Sequence, residues 1–406
     1  MQNRWIGVLL NNAQYSGIPR GRTRHEAIRF YDQAGQKYGV TPCYFRLQDI
    51  RPGQQRIKAY VRDTLGYRLR RIPAPTAIHN RALYHHSSAQ RKISALVRGG
   101  KLIYNQWNRY GKLHIHELLA CVPALRPHLP ATKPAHRETI QQMMQEHASL
   151  IIKPNSSSIG RGIMKLQRHG SMWELNLPAS RSGRRRSRLL FADGARLPAS
   201  LLQRIRARAY LVQQCLPLAT FQGRTFDLRV SVQRGHAGHW QITGMNAKVA
   251  QNGVFLTNVA QGANVYSMDI LLGDFPHLQP DQVVSDIERF ALAVAQQLSR
   301  HLPHMADLGL DIGLTREGFP MFIECNGRDL RYSFQEASMP DIWRATYDNP
   351  MGYGAYLLKR ISRPAFAFGT GGSIPTTAIL GCPPAAPSEI GVCSLPDDPC
   401  LMINPQ

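Results

Sequence analysis

Residues 150–166, LIIKPNSSSIGRGIMKL, constrain the fold more than any other stretch of this chain. An apolar run of strand type ends in Lys153. A loop of small residues follows, with Ser156, Ser157, Ser158, Gly160 and Gly162, and a second apolar run leaves it. The pattern reads as strand, flexible loop, strand. Glycines let backbone N–H groups converge on one point, and the serines add hydroxyl donors. With Lys153 at its base, the loop suits a polyphosphate. An ordinary Gly/Ser-rich β-turn is the competing reading. A Walker A loop is excluded, because its lysine follows the glycines and opens a helix. A dinucleotide fingerprint is excluded too, because no helix follows.

At 406 residues the chain is long enough for two or three domains. It contains no apolar run of membrane-spanning length. Residues 1–5 lead straight into a strand-like run at 6–10, so no signal peptide is expected. The seven cysteines are far apart and none has CxxC spacing, which argues against a zinc site and a disulfide framework. A reducing, cytoplasmic compartment is the expectation. The net charge of +24 requires an anionic partner or milieu: nucleic acid, another anionic polymer, phosphates or polycarboxylates. No aromatic residue interleaves the most basic run, 181–188, and no reading motif occurs, so sequence-specific nucleic-acid binding is not expected.

Taken in order, residues 1–95 read as a small α/β domain. It has a strand at 5–10, a helix at 22–39 stopped by Gly39, a strand at 40–46, and a third strand with a turn at 68–78. The basic segment 51–71 reads as a solvated helix face. Residues 96–149 form a connecting region with a strand at 101–105, a helix opening near Lys112 and a helix at 137–147. His114 and His116 are two apart and do not share a helical face, so they are not read as metal ligands. A lobe at 150–216 holds the loop, strands at 162–167 and 172–177, the arginine run 181–188, a helix at 198–207 and a strand at 210–216. The arginine run is either a solvated hairpin or a grip for anions. A larger lobe at 217–360 is antiparallel β, with strands at 225–232 and 239–245 and an Asn252-Gly253 turn. Then come a strand at 255–259, a helix at 281–301, and strands at 305–314 and 320–325. Residues 361–406 carry one basic residue, Arg363, and are rich in Gly, Pro, Ser and Thr, which reads as a flexible tail.

The second chemical feature is LGLDIGL at 308–314 with FIECN at 322–326. Glu324 and Asn326 are two apart and point to one face of a strand. A hairpin brings Asp311 beside them. Three oxygen donors without histidine or thiolate suit Mg2+ or Mn2+, which take water and substrate phosphates as further ligands. Acidic strand ends without a metal are the competing reading.

The order of these features resembles the ATP-grasp superfamily. The nearest resemblance is to the YheC/YheD endospore coat-associated family of spore-forming bacteria, through GVLLN, PTAIHNRA, IIKPNSSSIGRGI, TFDLRV and LGLDIGL with FIECN, over roughly residues 5–360. It implies an ATP-grasp fold, α/β with α+β lobes, behind an N-terminal pre-ATP-grasp domain. It implies that Lys112 and Lys153 contact the α- and β-phosphates of ATP. Ser157, Ser158, Gly160 and Gly162 lie in a flap over the β- and γ-phosphates. Gln213, Gln214, Cys215 and Leu216 hold adenine through backbone groups. Asp311, Glu324 and Asn326 bind Mg2+. Arg229 and Lys248 serve the γ-phosphate or reacting carboxylate, and Asn258 and Gly262 border the acceptor site. Two departures stand out. Glutamines occupy the linker where many relatives carry a glutamate, and Leu256 stands where several peptide ligases carry an arginine.

Three functions follow. The first is an ATP-dependent carboxylate–amine or related ligase of unknown acid and nucleophile, acting through an acyl phosphate and linked to spore formation. The second is a nucleotide-binding structural protein of the spore coat with little or no catalysis. The third is a nucleic-acid-associated protein, for which net charge alone speaks. The mother-cell cytoplasm or the spore coat is the implied location, with spore-coat components or an anionic polymer as further partners.

Overall fold

The computed structural model describes residues 4–157, 160–178, 187–251, 257, 259 and 262–362. Three six-stranded sheets follow one another along the chain. The first contains β1 (Trp5–Leu9), β2 (Thr41–Phe45), β3 (Arg56–Asp63), β4 (Gly66–Pro73), β5 (Ala77–Asn80) and β6 (Leu102–Tyr104), in the order β4-β3-β2-β1-β5-β6. Strands β2, β1, β5 and β6 are parallel. They are buried on both faces, as crossover helices require. Helix Ser87–Arg98 packs on one face, and helix Ile28–Tyr38 lies on the other. Gly39 ends the latter in the left-handed region, φ 60°.

Two expectations fail in this sheet. The segment 51–71 is no helix face but the β3–β4 hairpin. Its apolar residues Ile57, Ala59 and Val61 recur every second position and are buried, so the period is that of a strand and the cations merely occupy the other face. The helix expected at 22–39 starts at Ile28, because Thr23 turns the preceding segment by donating to the Glu26 carbonyl.

The second sheet holds β7 (Thr132–Pro134), β8 (Ser149–Pro154), β9 (Met164–His169), β10 (Met172–Asn176), β11 (Arg188–Ala192) and β12 (Tyr210–Gln214), ordered β11-β10-β9-β8-β12-β7. Its core of Leu150, Ile152, Leu166, Trp173 and Val212 is covered by helix Arg137–Glu146 and helix Ala199–Ala207. The alternate residues of β8 and β12 face the other way.

The third sheet is antiparallel and carries the longest strands. It comprises β13 (Thr220–Phe221), β14 (Arg224–Arg234), β15 (Trp240–Val249), β16 (Asn264–Tyr266), β17 (Asp307–Leu314) and β18 (Pro320–Asn326), running β16-β15-β14-β17-β18 with β13 beside β14. Helix Pro280–His301 lays Ile287, Phe290, Val294 and Leu298 on it.

Helix Pro340–Ser362 is not apparent from sequence, because Pro350 interrupts its pattern. Proline cannot donate to the carbonyl four residues back. That carbonyl, of Thr346, accepts instead from Gln233 Nε2 at 2.9 Å. The helix turns back to the first sheet and adds Tyr347 and Met351 to the core of Ile6, Val8, Tyr31 and Tyr44. Ile361 and Ser362, expected in the tail, belong to its last turn, and residues 363–406 lie outside the described residues.

Candidate functional site

The site begins with a row of charges across the third sheet. Register sets Lys248 of β15 opposite Asp227 of β14, Arg229 of β14 opposite Asp311 of β17, and Asp311 opposite Glu324 of β18. Lys248 Nζ lies 2.7 Å from Asp227 and 2.8 Å from Asp311. Arg229 donates through Nε to Asp311 at 3.0 Å and through Nη1 to Asp329 at 3.1 Å. Asn326 Nδ2 donates to the other Asp311 oxygen at 3.2 Å. Ser231 anchors Asp329, and Thr257 anchors Asp227, each by its hydroxyl.

Burial alone would raise the Asp311 carboxyl, but Arg229 and Lys248 outweigh it and hold it down at about 2. The same carboxylates more than offset burial at the cations, so Arg229 and Lys248 are held protonated. Asp227 and Asp329 remain raised, because burial exceeds the help of their partners. Gly309 makes room for this packing: a Cβ there would lie 2.5 Å from Asp329 Oδ1 and 3.0 Å from Arg229 Nη1.

Two lysines face the row from other elements. Lys112 opens helix Lys112–Ala120, and Asn155 fixes that helix start: its carbonyl accepts from Lys112 N–H, and its Oδ1 accepts from Leu113 N–H at 2.9 Å. Lys112 Nζ then reaches Glu324 Oε1 at 2.5 Å and the Ser157 carbonyl at 3.2 Å. Lys153 donates to the Ile323 carbonyl at 3.3 Å. Burial is the main reason its amine is lowered, to about 8, and Lys112 adds to it.

A cleft of about 240 Å3 runs between the second and third sheets. Its lining includes Thr132, Leu211 and Gln213, the group Lys153, Lys112, Ser157, Glu324 and Asn326, and Arg109, His85 and Arg328. Its lining of apolar side chains with a few convergent polar groups is that of a small-molecule site. Within the linker expected to hold adenine, Gln213 lines the cleft and donates to Thr132 Oγ1 at 2.8 Å. Gln214, Cys215 and Leu216 do not line it. The Gln214 and Cys215 N–H groups donate to the carbonyls of Ala131 and Ser149, and the Leu216 carbonyl accepts from Leu218 N–H.

Gly160 and Gly162 take left-handed backbone, φ 63° and 79°, at the far side of the 155–163 loop. Gly262 turns the chain into β16 with φ 88°. Ser158, Asn258, Leu256, the Asn252-Gly253 turn and Arg181–Arg186 lie outside the described residues. Asn155, Asp329, Ser231, Arg109, His85 and Arg328 carry no sequence signal, since each acts through a contact distant in the chain.

Asp311, Glu324 and Asn326 offer two carboxylates and an amide oxygen. Among the described residues no group of three His, Cys, Asp or Glu is poised for a metal. An all-oxygen set this sparse fits Mg2+ that completes its shell with phosphate and water, and does not fit zinc. Among the described residues no helix is long and apolar enough to cross a membrane.

Comparison with known proteins shows the family and the fold. The chain matches the YheC/D like ATP-grasp family over residues 100–357. It is 23% identical over 262 residues to endospore coat-associated protein YheD of Bacillus subtilis, covering 64% of this chain and 56% of YheD. It is 22% identical over 341 residues to endospore coat-associated protein YheC of the same organism, covering 80% of this chain and 91% of YheC. The chain thus spans little more than half of YheD and nearly all of YheC. The solved VanG D-Ala:D-Ser ligase of Enterococcus faecalis aligns over 87% of this chain and 100% of its own, at 11% identity and TM-score 0.50, a likeness of fold. The family model covers well over half of the chain, and the chain belongs to the YheC/D-like ATP-grasp family.

Proposed function

We propose that this protein is an ATP-dependent carboxylate ligase, acting through an acyl phosphate. The observation that supports the reading is the row Lys248–Asp227, Arg229–Asp311, Glu324, aligned by strand register, whose last member Glu324 lines the cleft together with Lys112 and Lys153. In this reading adenine lies against Gln213 and Leu211, and the triphosphate lies along Lys153 and Lys112. Asp311, Glu324 and Asn326 would hold Mg2+, which when bound offsets charge on the β- and γ-phosphates. A carboxylate oxygen of the acid attacks the γ-phosphorus in line, and the bond to ADP breaks. An amine then attacks the acyl carbon, phosphate departs with the C–O electron pair, and the nitrogen releases a proton. Arg229, held rigid by two carboxylates, is suited to stabilise the charge that develops. The 155–163 loop would exclude water from the labile acyl phosphate.

The second reading, a nucleotide-binding coat component without turnover, is favoured by one observation. Two of the linker N–H groups that would meet adenine are engaged in the sheet. The spore-coat association in the names of YheC and YheD comes to this chain as part of either proposal.

Hydroxylamine trapping separates the two. The ligase reading expects a hydroxamate and ADP from MgATP with some member of a panel of acids, and Arg229→Ala should lower the rate roughly 10²–10³-fold. Glu324→Gln should weaken MgATP binding about tenfold or more while leaving the melting profile intact. MgATP binding without hydroxamate or ADP from any acid supports the coat-component reading. Unchanged calorimetric MgATP affinity in Glu324→Gln overturns the assignment of the phosphate end.

A further inference from the structure

Buried arginines in this protein come with carboxylates. Arg81 meets Glu26 at 3.1 Å and Asp307 at 3.2 Å. Arg229 meets Asp311 and Asp329, and Arg331 meets Asp307 and Glu26. Arg328 breaks the pattern. Of its five N–H donors, one forms a hydrogen bond among the described residues, from Nη1 to the Arg81 carbonyl at 3.2 Å. Among the described residues, which include every Asp and Glu before residue 363, no carboxylate lies within ion-pair distance of it. The side chain lines the cleft, two residues past Asn326 in the chain.

Arg109 lines the same cleft and, among the described residues, is also without a carboxylate at ion-pair distance. Its guanidinium contacts the His85 ring and donates to Ser156 Oγ at 3.4 Å. Burial lowers both guanidinium groups, Arg328 to about 10, yet both stay charged at neutral pH. Glu26 offsets the burial of Arg328 only from a distance, and a partly buried guanidinium with no carboxylate in contact is unfavourable on its own. It is what a site for a visiting anion looks like before the anion arrives. The triphosphate has its own cations at Lys112 and Lys153, on other elements.

We infer that Arg328 and Arg109 bind a second anionic group of the acid substrate, so that the ligase takes acids with at least two negative charges, one carboxylate to be phosphorylated and one to be held. The inference rests on the ligase reading only for the fate of the first carboxylate. The held group forms and breaks no bond. It orients the acid so that its other carboxylate points toward the γ-phosphate.

The test is binding to the full chain with Mg2+ and a non-hydrolysable ATP analogue, by calorimetry. The probes are butyrate, succinate, glutarate and succinamate, which has succinate's length with one charge removed. The expected result is at least tenfold tighter binding of the best dianion than of butyrate or succinamate. Arg328→Gln should abolish that ratio, Arg328→Lys should retain part of it, and the analogue's own affinity should move less than twofold. A ratio near one in the parent overturns the inference, as does a ratio that survives both Arg328→Gln and Arg109→Gln. A tenfold loss of nucleotide affinity in Arg328→Gln also overturns it, because the guanidinium then serves the triphosphate. Dianions that bind selectively yet yield neither hydroxamate nor ADP with MgATP leave the anion site standing and refute the ligase reading.

Discussion

Replacing Arg81 by methionine tests what joins the first sheet to the third. Arg81 follows β5, and its side chain is 2% exposed. It donates to Glu26, to Asp307 at the head of β17, and to the Asp329 carbonyl at 2.8 Å. Methionine fills much of the same volume but leaves two buried carboxylates short of a cation. Removing one partner of a buried ion pair costs about 3–5 kcal/mol, mostly as the penalty on the charge left behind. Here Arg331 remains beside both acids, and Gln233 and His79 remain beside Asp307, so the lower end, about 3 kcal/mol, is expected. With unfolding entropy of about 2 cal/mol/K per residue, a unit of roughly 360 residues should melt about 4 °C lower. Thermal unfolding followed by circular dichroism reads this directly. Adding Glu26→Gln removes one stranded charge, so the double variant should lose about 1 kcal/mol less than the sum of the single variants. A melting point within 1 °C of the parent, or strict additivity, would refute the view that these charges are energetically coupled.

Three further outcomes are expected. Lys153 is lowered to about 8 mainly by burial and is needed protonated at the phosphates, so MgATP affinity should fall up to about tenfold between pH 8 and 9. Lys153→Met should flatten that profile, and an equally steep one in the variant contradicts the assignment. Burial raises Asp32 to about 6 despite hydrogen bonds from Tyr67 and Tyr44. Its folded form therefore holds a proton the unfolded chain has lost, and the stability it contributes below about pH 4 disappears as pH rises through 6. Asp32→Asn should accordingly stabilise the protein by ~1–3 kcal/mol at pH 7.5 and by little at pH 4, as measured by urea denaturation. A chain ending at Ser362 should keep its full thermal shift with MgATP, and loss of that shift would show that residues 363–406 take part in binding.

The sequence reveals most clearly what is local. Period-two alternation and bounding glycines place β8, β9, β14, β17 and β18, and a two-residue offset puts Glu324 and Asn326 on one face. The pairing of Asp311 with Glu324 follows once the 305–326 segment is read as a hairpin. Charge misleads at 51–71, where arginine density hides the alternation of Ile57, Ala59 and Val61. Proline misleads at 350, since the side chain that takes over the abandoned carbonyl, Gln233, lies more than a hundred residues away. The partners Asp329 and Ser231 and the uncompensated Arg328 are invisible for the same reason. Nothing near them in sequence shows what they touch in space.

The return of helix Pro340–Ser362 to the first sheet also sets a timetable for synthesis. Ile6, Val8, Tyr31 and Tyr44 are made early, but Tyr347 and Met351, which complete their core, leave the ribosome some three hundred residues later. At roughly 5–20 residues per second that interval is about 15–60 s, during which helix Ile28–Tyr38 alone covers that face of the nascent sheet. Completion of the first sheet's core, in the amino-terminal quarter of the chain, is thereby tied to synthesis of the second and third sheets. A ribosome that stalls inside the third sheet would release a chain whose first sheet is unfinished, and cellular quality control would meet it as an exposed apolar face rather than as a folded domain.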